Sequence, residues 1–184
     1  MMIDANGFAQ GAVLIPSPFF DERPEGVLPK LVVIHCISLP RGQYLNGNVK
    51  ALFTGTIDTS ADPSFASLEG LHVSSHFFID REGTLFQFVS TKSRAWHAGV
   101  SFFKGKTGCN DFSIGIELEG VDDDVFTSEQ YARLHELLEA IRNAHDSVRY
   151  VTGHSDIAPG RKTDPGTGFD WGRVALSGLE ICRN

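Results

Sequence analysis

LVVIHCI, residues 31–37, is an almost unbroken apolar run rich in β-branched side chains. That is the pattern of a strand covered on both faces, which requires layers on either side of a sheet. Working outward, Val73 to Ile79 and Thr84 to Val89 read as two more strands. Asp80-Arg81-Glu82-Gly83 between them is polar and ends in glycine, so the pair is expected to form a hairpin. Ser113 to Leu118 (SIGIEL) alternates and is short, again a strand, and Arg149 to Thr152 adds a further one. The clearest helix begins after Thr127. Thr127 and Gln130 have capping-box spacing, Phe126 and Tyr131 that of a hydrophobic staple. Tyr131, Leu134, Leu138 and Ile141 then recur on one helical face, which should lie on the sheet. A short final helix is expected over Trp171 to Leu176, and Ser38 to Ser67 reads as a long, loop-rich flank. Mixed strands and helices imply an α/β or α+β fold around one central sheet.

The chain has 184 residues, with 16 Lys plus Arg against 23 Asp plus Glu, a formal net charge of −7. That length suits one domain with a real core. The acidic balance excludes the electrostatic footprint of a general nucleic-acid binder and the basic stripe of an anionic-membrane binder. Three cysteines, Cys36, Cys109 and Cys182, are odd in number and lack CxxC spacing, so a disulfide framework is not expected. The first 20 residues carry no basic n-region and no long apolar core, and no run approaches a transmembrane span. Free thiols and the missing export signal point to the cytoplasm.

Chemistry is sought first among the seven histidines, His35, His72, His76, His97, His135, His145 and His154. His135 and His145 lie in or just past the long helix and read as boundary residues. His76 shares parity with Phe78 and suits a satisfied core position. His35 sits inside the apolar strand, where an unpaired imidazole costs about 1–3 kcal/mol, so it needs a partner. A structural hydrogen bond and a functional role are both open for it. His154 ends a strand and leads into a loop, Ala158 to Gly166, in which Pro and Gly fix the backbone and Lys162 and Asp164 are aimed by it. Two imidazoles and one carboxylate form a known zinc set that leaves a position for water. None of these spacings is HExxH. Glu117 and Glu119 lie two apart on the SIGIELEG stretch and so share one face of the strand. Glu119, beside Gly120, reads as a solvated edge residue. Glu117 is deeper in the apolar run and is the candidate base, since a carboxylate buried there without purpose is costly. Gly99 to Thr107 only superficially suggests a phosphate-binding loop, and Asp122-Asp123-Asp124 lacks the spacing of a calcium loop. Cys36 follows His35 directly, so the two side chains point to opposite faces and do not form a catalytic pair.

Five stretches, VVIHCISLP (32–40), ALFTGTID (51–58), RAWHAGVS (94–101), CNDFSIGIELEG (109–120) and GHSDIAPGRKTDPG (153–166), together resemble the cytoplasmic 1,6-anhydro-N-acetylmuramyl-L-alanine amidases of the AmpD type. With PSP near Pro16 and FDW near Asp170 the resemblance covers essentially the whole chain. It implies an α/β fold with a single mixed central β-sheet flanked by helices, shared with phage amidase-type lysozymes and peptidoglycan recognition proteins, and one zinc amidase domain over residues 1–184. It implies zinc ligands His35, His154 and Asp164, Glu117 as proton acceptor, Lys162 as transition-state stabiliser, and Trp96 and Arg161 as substrate contacts. The expected substrate is a small muropeptide, with no nucleic-acid or membrane partner, and the expected state is a monomer. Two departures bear on substrate contacts: Cys36 stands where the family commonly has Asn, and His72 where it often has a basic residue or Thr. A binding module without catalysis, or an amidase of the intact wall, are the rival readings. All three candidate ligand positions are filled, which disfavours the first.

Overall fold

The computed structural model describes residues 1–183. In chain order the strands are β1 (Val13–Leu14), β2 (Phe20–Asp21), β3 (Leu31–Ile37), β4 (Phe77–Ile79), β5 (Leu85–Gln87), β6 (Arg94–Ala95), β7 (Phe102–Phe103), β8 (Lys106–Thr107), β9 (Ser113–Glu119), β10 (Tyr150–Gly153) and β11 (Glu180–Ile181). The α-helices are α1 (Asn48–Thr54), α2 (Ser128–Ala144) and α3 (His154–Ile157). Seven strands form one sheet in the order β1-β5-β4-β9-β3-β10-β11. All its pairings are parallel except the β4–β5 hairpin, so the sheet is mixed. β3 lies between β9 and β10, and its apolar run is explained by that central place.

Alternation along β3 and β9 gives the two faces different jobs. Val32, Ile34, Ile114, Ile116 and Leu118 face α2, whose Tyr131, Leu134, Leu137, Leu138 and Ile141 complete the main core. The helix starts as its sequence indicates. Gln130 N donates to Thr127 Oγ1 at 3.1 Å, Thr127 N donates to Gln130 Oε1 at 3.0 Å, and the Phe126 and Tyr131 rings meet edge to face. On the other face two smaller apolar clusters form. One gathers Phe78 and Phe86 with Val49, Leu52 and Phe53 of α1; the other gathers Leu31 and Val33 with Ala98, Cys109, Phe112 and Ile157. His35 and Glu117, level with each other on β3 and β9, sit on this same face.

Several elements differ from the sequence reading. β4 covers only Phe77–Ile79, because Ser74 is drawn to another segment: its N–H donates to Trp96 O and its hydroxyl accepts from Trp96 N. The flank from Ser38 to Ser67 holds α1, whose Val49, Leu52 and Phe53 have the i, i+3, i+4 spacing that marks a helix. The C-terminal segment forms two 3₁₀ turns, Trp171–Arg173 and Ala175–Ser177, rather than a helix, with Gly178 in the left-handed region after the second. The Gly99 to Thr107 stretch is a β7–β8 hairpin turned at Lys104-Gly105, both with positive φ, and so no phosphate loop. Among the described residues, no helix is long and apolar enough to cross a membrane.

Candidate metal centre

His35 reaches the site from near the end of β3, and His154 from the first position of α3, directly after β10. Parallel pairing of β3 with β10 places Gly153 level with Ile34, so the two imidazoles emerge side by side. Asp164 is brought to them by the loop after α3. Ser155 N donates to Asp164 O at 2.8 Å, which ties that loop back to the helix. The result is a triangle of donor atoms. His35 Nδ1 lies 2.9 Å from His154 Nδ1 and 3.0 Å from Asp164 Oδ2, and His154 Nδ1 lies 3.1 Å from Asp164 Oδ2. Both histidines are buried, and Asp164 is partly exposed.

Protonation decides what such a triangle can hold. His154 Nε2 lies 3.1 Å from the carbonyl oxygen of Ala98. A carbonyl only accepts, so Nε2 carries a proton, and in the neutral ring Nδ1 is then the lone pair. A bare nitrogen directed at a carboxylate oxygen 3.1 Å away is an unfavourable meeting of lone pairs unless a cation lies between them. Burial pushes the His35 imidazole down to about 4, so this ring favours its neutral, ligating form. For Asp164, burial pushes upward, but its close contacts with the two imidazoles outweigh it and hold the carboxyl well below its ordinary range. Two neutral imidazoles and an ionised carboxylate are the donors that a divalent ion such as zinc takes.

Glu117 stands beside this triangle, 8 % exposed, and its buried Oε2 has no hydrogen-bond partner among the described residues. Burial drives its carboxyl well above the usual carboxylate range, Asp164 pushes the same way, and the Lys162 charge opposes both. Glu119, two positions on, is equally buried but fully engaged. Its Oε1 accepts from Leu45 N at 2.7 Å and its Oε2 from Arg81 N at 3.0 Å. The expectation of a solvated edge residue is therefore wrong: β9 is paired on both sides, and Glu119 ties two loops to its end.

Lys162 is exposed on the loop between His154 and Asp164, and its charge is felt at both His35 and Glu117. Trp96 is half-buried; its Nε1 donates to Asp21 Oδ1 at 3.1 Å, and its ring stacks with Phe19, which stacks on His72. The Arg161 guanidinium donates through Nη2 to the carbonyls of Ala98 and Val100, both at 2.7 Å, and so clasps the segment beside His154. His76 is a satisfied core residue, with Nδ1 accepting from Gly115 N at 3.0 Å. Cys36 lies on the opposite face from His35 against the main core, and burial raises its thiol pKa, so it is no nucleophile. One residue of the site was missed: His97, whose Nδ1 lies 2.9 Å from His35 Nε2. Its only sequence signal was its place beside Trp96.

The N-acetylmuramoyl-L-alanine amidase family matches residues 25–167. This chain belongs to that family. It is 49% identical over 176 residues to 1,6-anhydro-N-acetylmuramyl-L-alanine amidase AmpD of Escherichia coli (strain K12), an alignment covering 95% of this chain and 96% of that protein. Among solved structures, a selenomethionine derivative of AmpD superposes with a TM-score of 0.93 at 47% identity, covering 96% of this chain and 99% of that one. Escherichia coli AmiD in complex with anhydro-N-acetylmuramic acid-L-Ala-D-gamma-Glu-L-Lys matches with a TM-score of 0.60 at 30% identity, covering 86% of this chain and 62% of that one. The amidase family accounts for the mixed sheet and for the order of the five stretches quoted from the sequence.

Proposed function

We propose that this chain is a zinc-dependent N-acetylmuramoyl-L-alanine amidase of cell-wall recycling. It hydrolyses the amide between the lactyl group of 1,6-anhydro-N-acetylmuramic acid and L-alanine in small muropeptides. The observation that carries this reading is the buried, unpartnered Oε2 of Glu117 beside three converging metal-donor atoms. The family membership, the 49% identity to an AmpD amidase and the muropeptide bound to AmiD support the substrate class.

In this reading His35, His154 and Asp164 hold the zinc ion. When bound, the ion supplies Lewis acidity towards a water molecule and the scissile carbonyl. Glu117 takes the proton from the attacking water at its raised-pKa carboxyl and passes it to the leaving nitrogen of L-alanine. One water is consumed, the C–N bond breaks, and a lactyl carboxylate and a free amine result. The Lys162 ammonium faces the charge that grows on the carbonyl oxygen. Trp96, in its stack with Phe19 and His72, and Arg161 contact the sugar and the stem peptide. Residues 1–184 act as one zinc amidase domain, as a monomer, in the cytoplasm, without nucleic acid or membrane as partner. The unpaired state of all three cysteines supports that compartment.

The test is to incubate the protein with an anhydro-muropeptide and with intact sacculus, each with and without chelator. Release of the stem peptide from the anhydro-muropeptide, lost on chelation and restored by zinc, is expected. Binding without release would favour a recognition module, and faster release from sacculus would favour a wall-degrading amidase.

A further inference from the structure

We infer that His97 is a positioning residue that fixes the tautomer of His35, so that the dipeptide His97-Ala98 turns the Nδ1 lone pairs of both histidine ligands toward the metal. The inference rests on the metal-centre reading above.

Ser113 Oγ lies 2.6 Å from the carbonyl oxygen of Cys109 and 3.1 Å from His97 Nε2. A hydroxyl has one proton, and the carbonyl can only accept it. Ser113 Oγ is therefore the acceptor toward His97, and His97 Nε2 carries a proton. A neutral imidazole has one N–H, so His97 Nδ1 is a lone pair. That lone pair lies 2.9 Å from His35 Nε2, which must then be the donor. His35 Nδ1 is left bare, directed at His154 Nδ1 and Asp164 Oδ2. Ala98, the next residue, does the same for His154 through its carbonyl. One segment of backbone thus supplies the outer partner of each imidazole, an arrangement that sets ring orientation and raises ligand basicity.

The segment is itself fixed. Asn110 Oδ1 accepts from both His97 N at 3.1 Å and Ala98 N at 2.7 Å, and Arg161 grips the Ala98 carbonyl. Space for the His97 ring comes from β9. A Cβ at Gly115 would stand 2.6 Å from His97 Cγ, so only glycine lets the imidazole lie flat over that strand. The rings of His35 and His97 stand at 89° to each other with their centroids 5.0 Å apart.

The test compares His97→Leu, which removes the acceptor, with His97→Asn, whose amide oxygen restores one near the place of Nδ1. Zinc affinity is read by competition with a chromophoric chelator, and the His35 tautomer by ¹⁵N chemical shifts of the zinc-loaded protein. Thermal unfolding of the zinc-free variants reports on folding. His97→Leu is expected to weaken zinc binding about 10–100-fold, the usual cost of losing such a partner. His97→Asn should recover most of that loss, and the wild type should show His35 protonated at Nε2. Equal zinc affinity in wild type and His97→Leu would overturn the inference, as would His97→Asn binding zinc no better than His97→Leu. A wild type that binds no zinc would overturn the metal-centre reading itself.

Discussion

The two faces of β3 and β9 are made by the same two segments of chain and differ in how completely their side chains are satisfied. Toward α2, Val32, Ile34, Ile114, Ile116 and Leu118 are fully buried in one apolar cluster. Toward the candidate metal centre, His35, Gly115, Glu117 and Glu119 stand at the alternate positions, flanked by two separate apolar clusters. Glu117 and Glu119 sharpen the contrast within one face. Glu119 has backbone N–H donors on both oxygens, whereas Oε2 of Glu117 has none. A buried carboxylate that is fully hydrogen-bonded ties structure together; one left unpartnered beside a cation site is held ready for a proton. The apolar face fixes the strands, and the polar face spends that rigidity on holding groups that would be unfavourable anywhere else.

The contrast can be broken most severely at the triangle. Asp164→Ala removes the one anionic donor, and metal analysis should show zinc lost together with all turnover, while far-UV circular dichroism stays native. Full zinc content in this variant would mean that the ligands are misassigned. Lys162→Ala is the next largest effect. It should keep zinc and lower kcat by 10²–10³, or about 2.7–4 kcal/mol, as for loss of one donor to a developing oxyanion. A change confined to KM would instead make Lys162 a binding residue. The smallest effect belongs to the other face. Ile116→Val should lower stability by about 0.5–1.5 kcal/mol in denaturant melts and leave kcat unchanged, because it trims the core without touching the site. A lower kcat there would show that the two faces are coupled.

Sequence reading went furthest where a local pattern carried the signal. The apolar run of β3, the Thr127/Gln130 capping box and the Tyr131-Leu134-Leu138-Ile141 stripe each state their structure in a few neighbouring residues. The candidate ligand set came from the resemblance rather than from spacing, since residues 35 and 154 meet through the parallel pairing of β3 with β10 and Asp164 arrives on a loop tied to Ser155 N. Glu119 was misread because its partners, Leu45 and Arg81, arrive from loops far away in the chain. His97 was passed over for the same reason. Its meaning depends on Ser113, Gly115 and His35, which only the folded sheet brings beneath its ring. The helix α1 was lost because its two turns start after a glycine with no side-chain cap.

In the proposed mechanism Glu117 carries the proton of a zinc amidase and has no part in holding the metal. Glu117→Gln keeps the shape of the side chain and removes its basicity, so the most direct measurement is hydrolysis of an anhydro-muropeptide by this variant alongside its zinc content. One zinc per chain and a rate reduced by about 10²–10⁴ are expected. Turnover at the wild-type rate, or loss of the metal with the carboxylate, would contradict it.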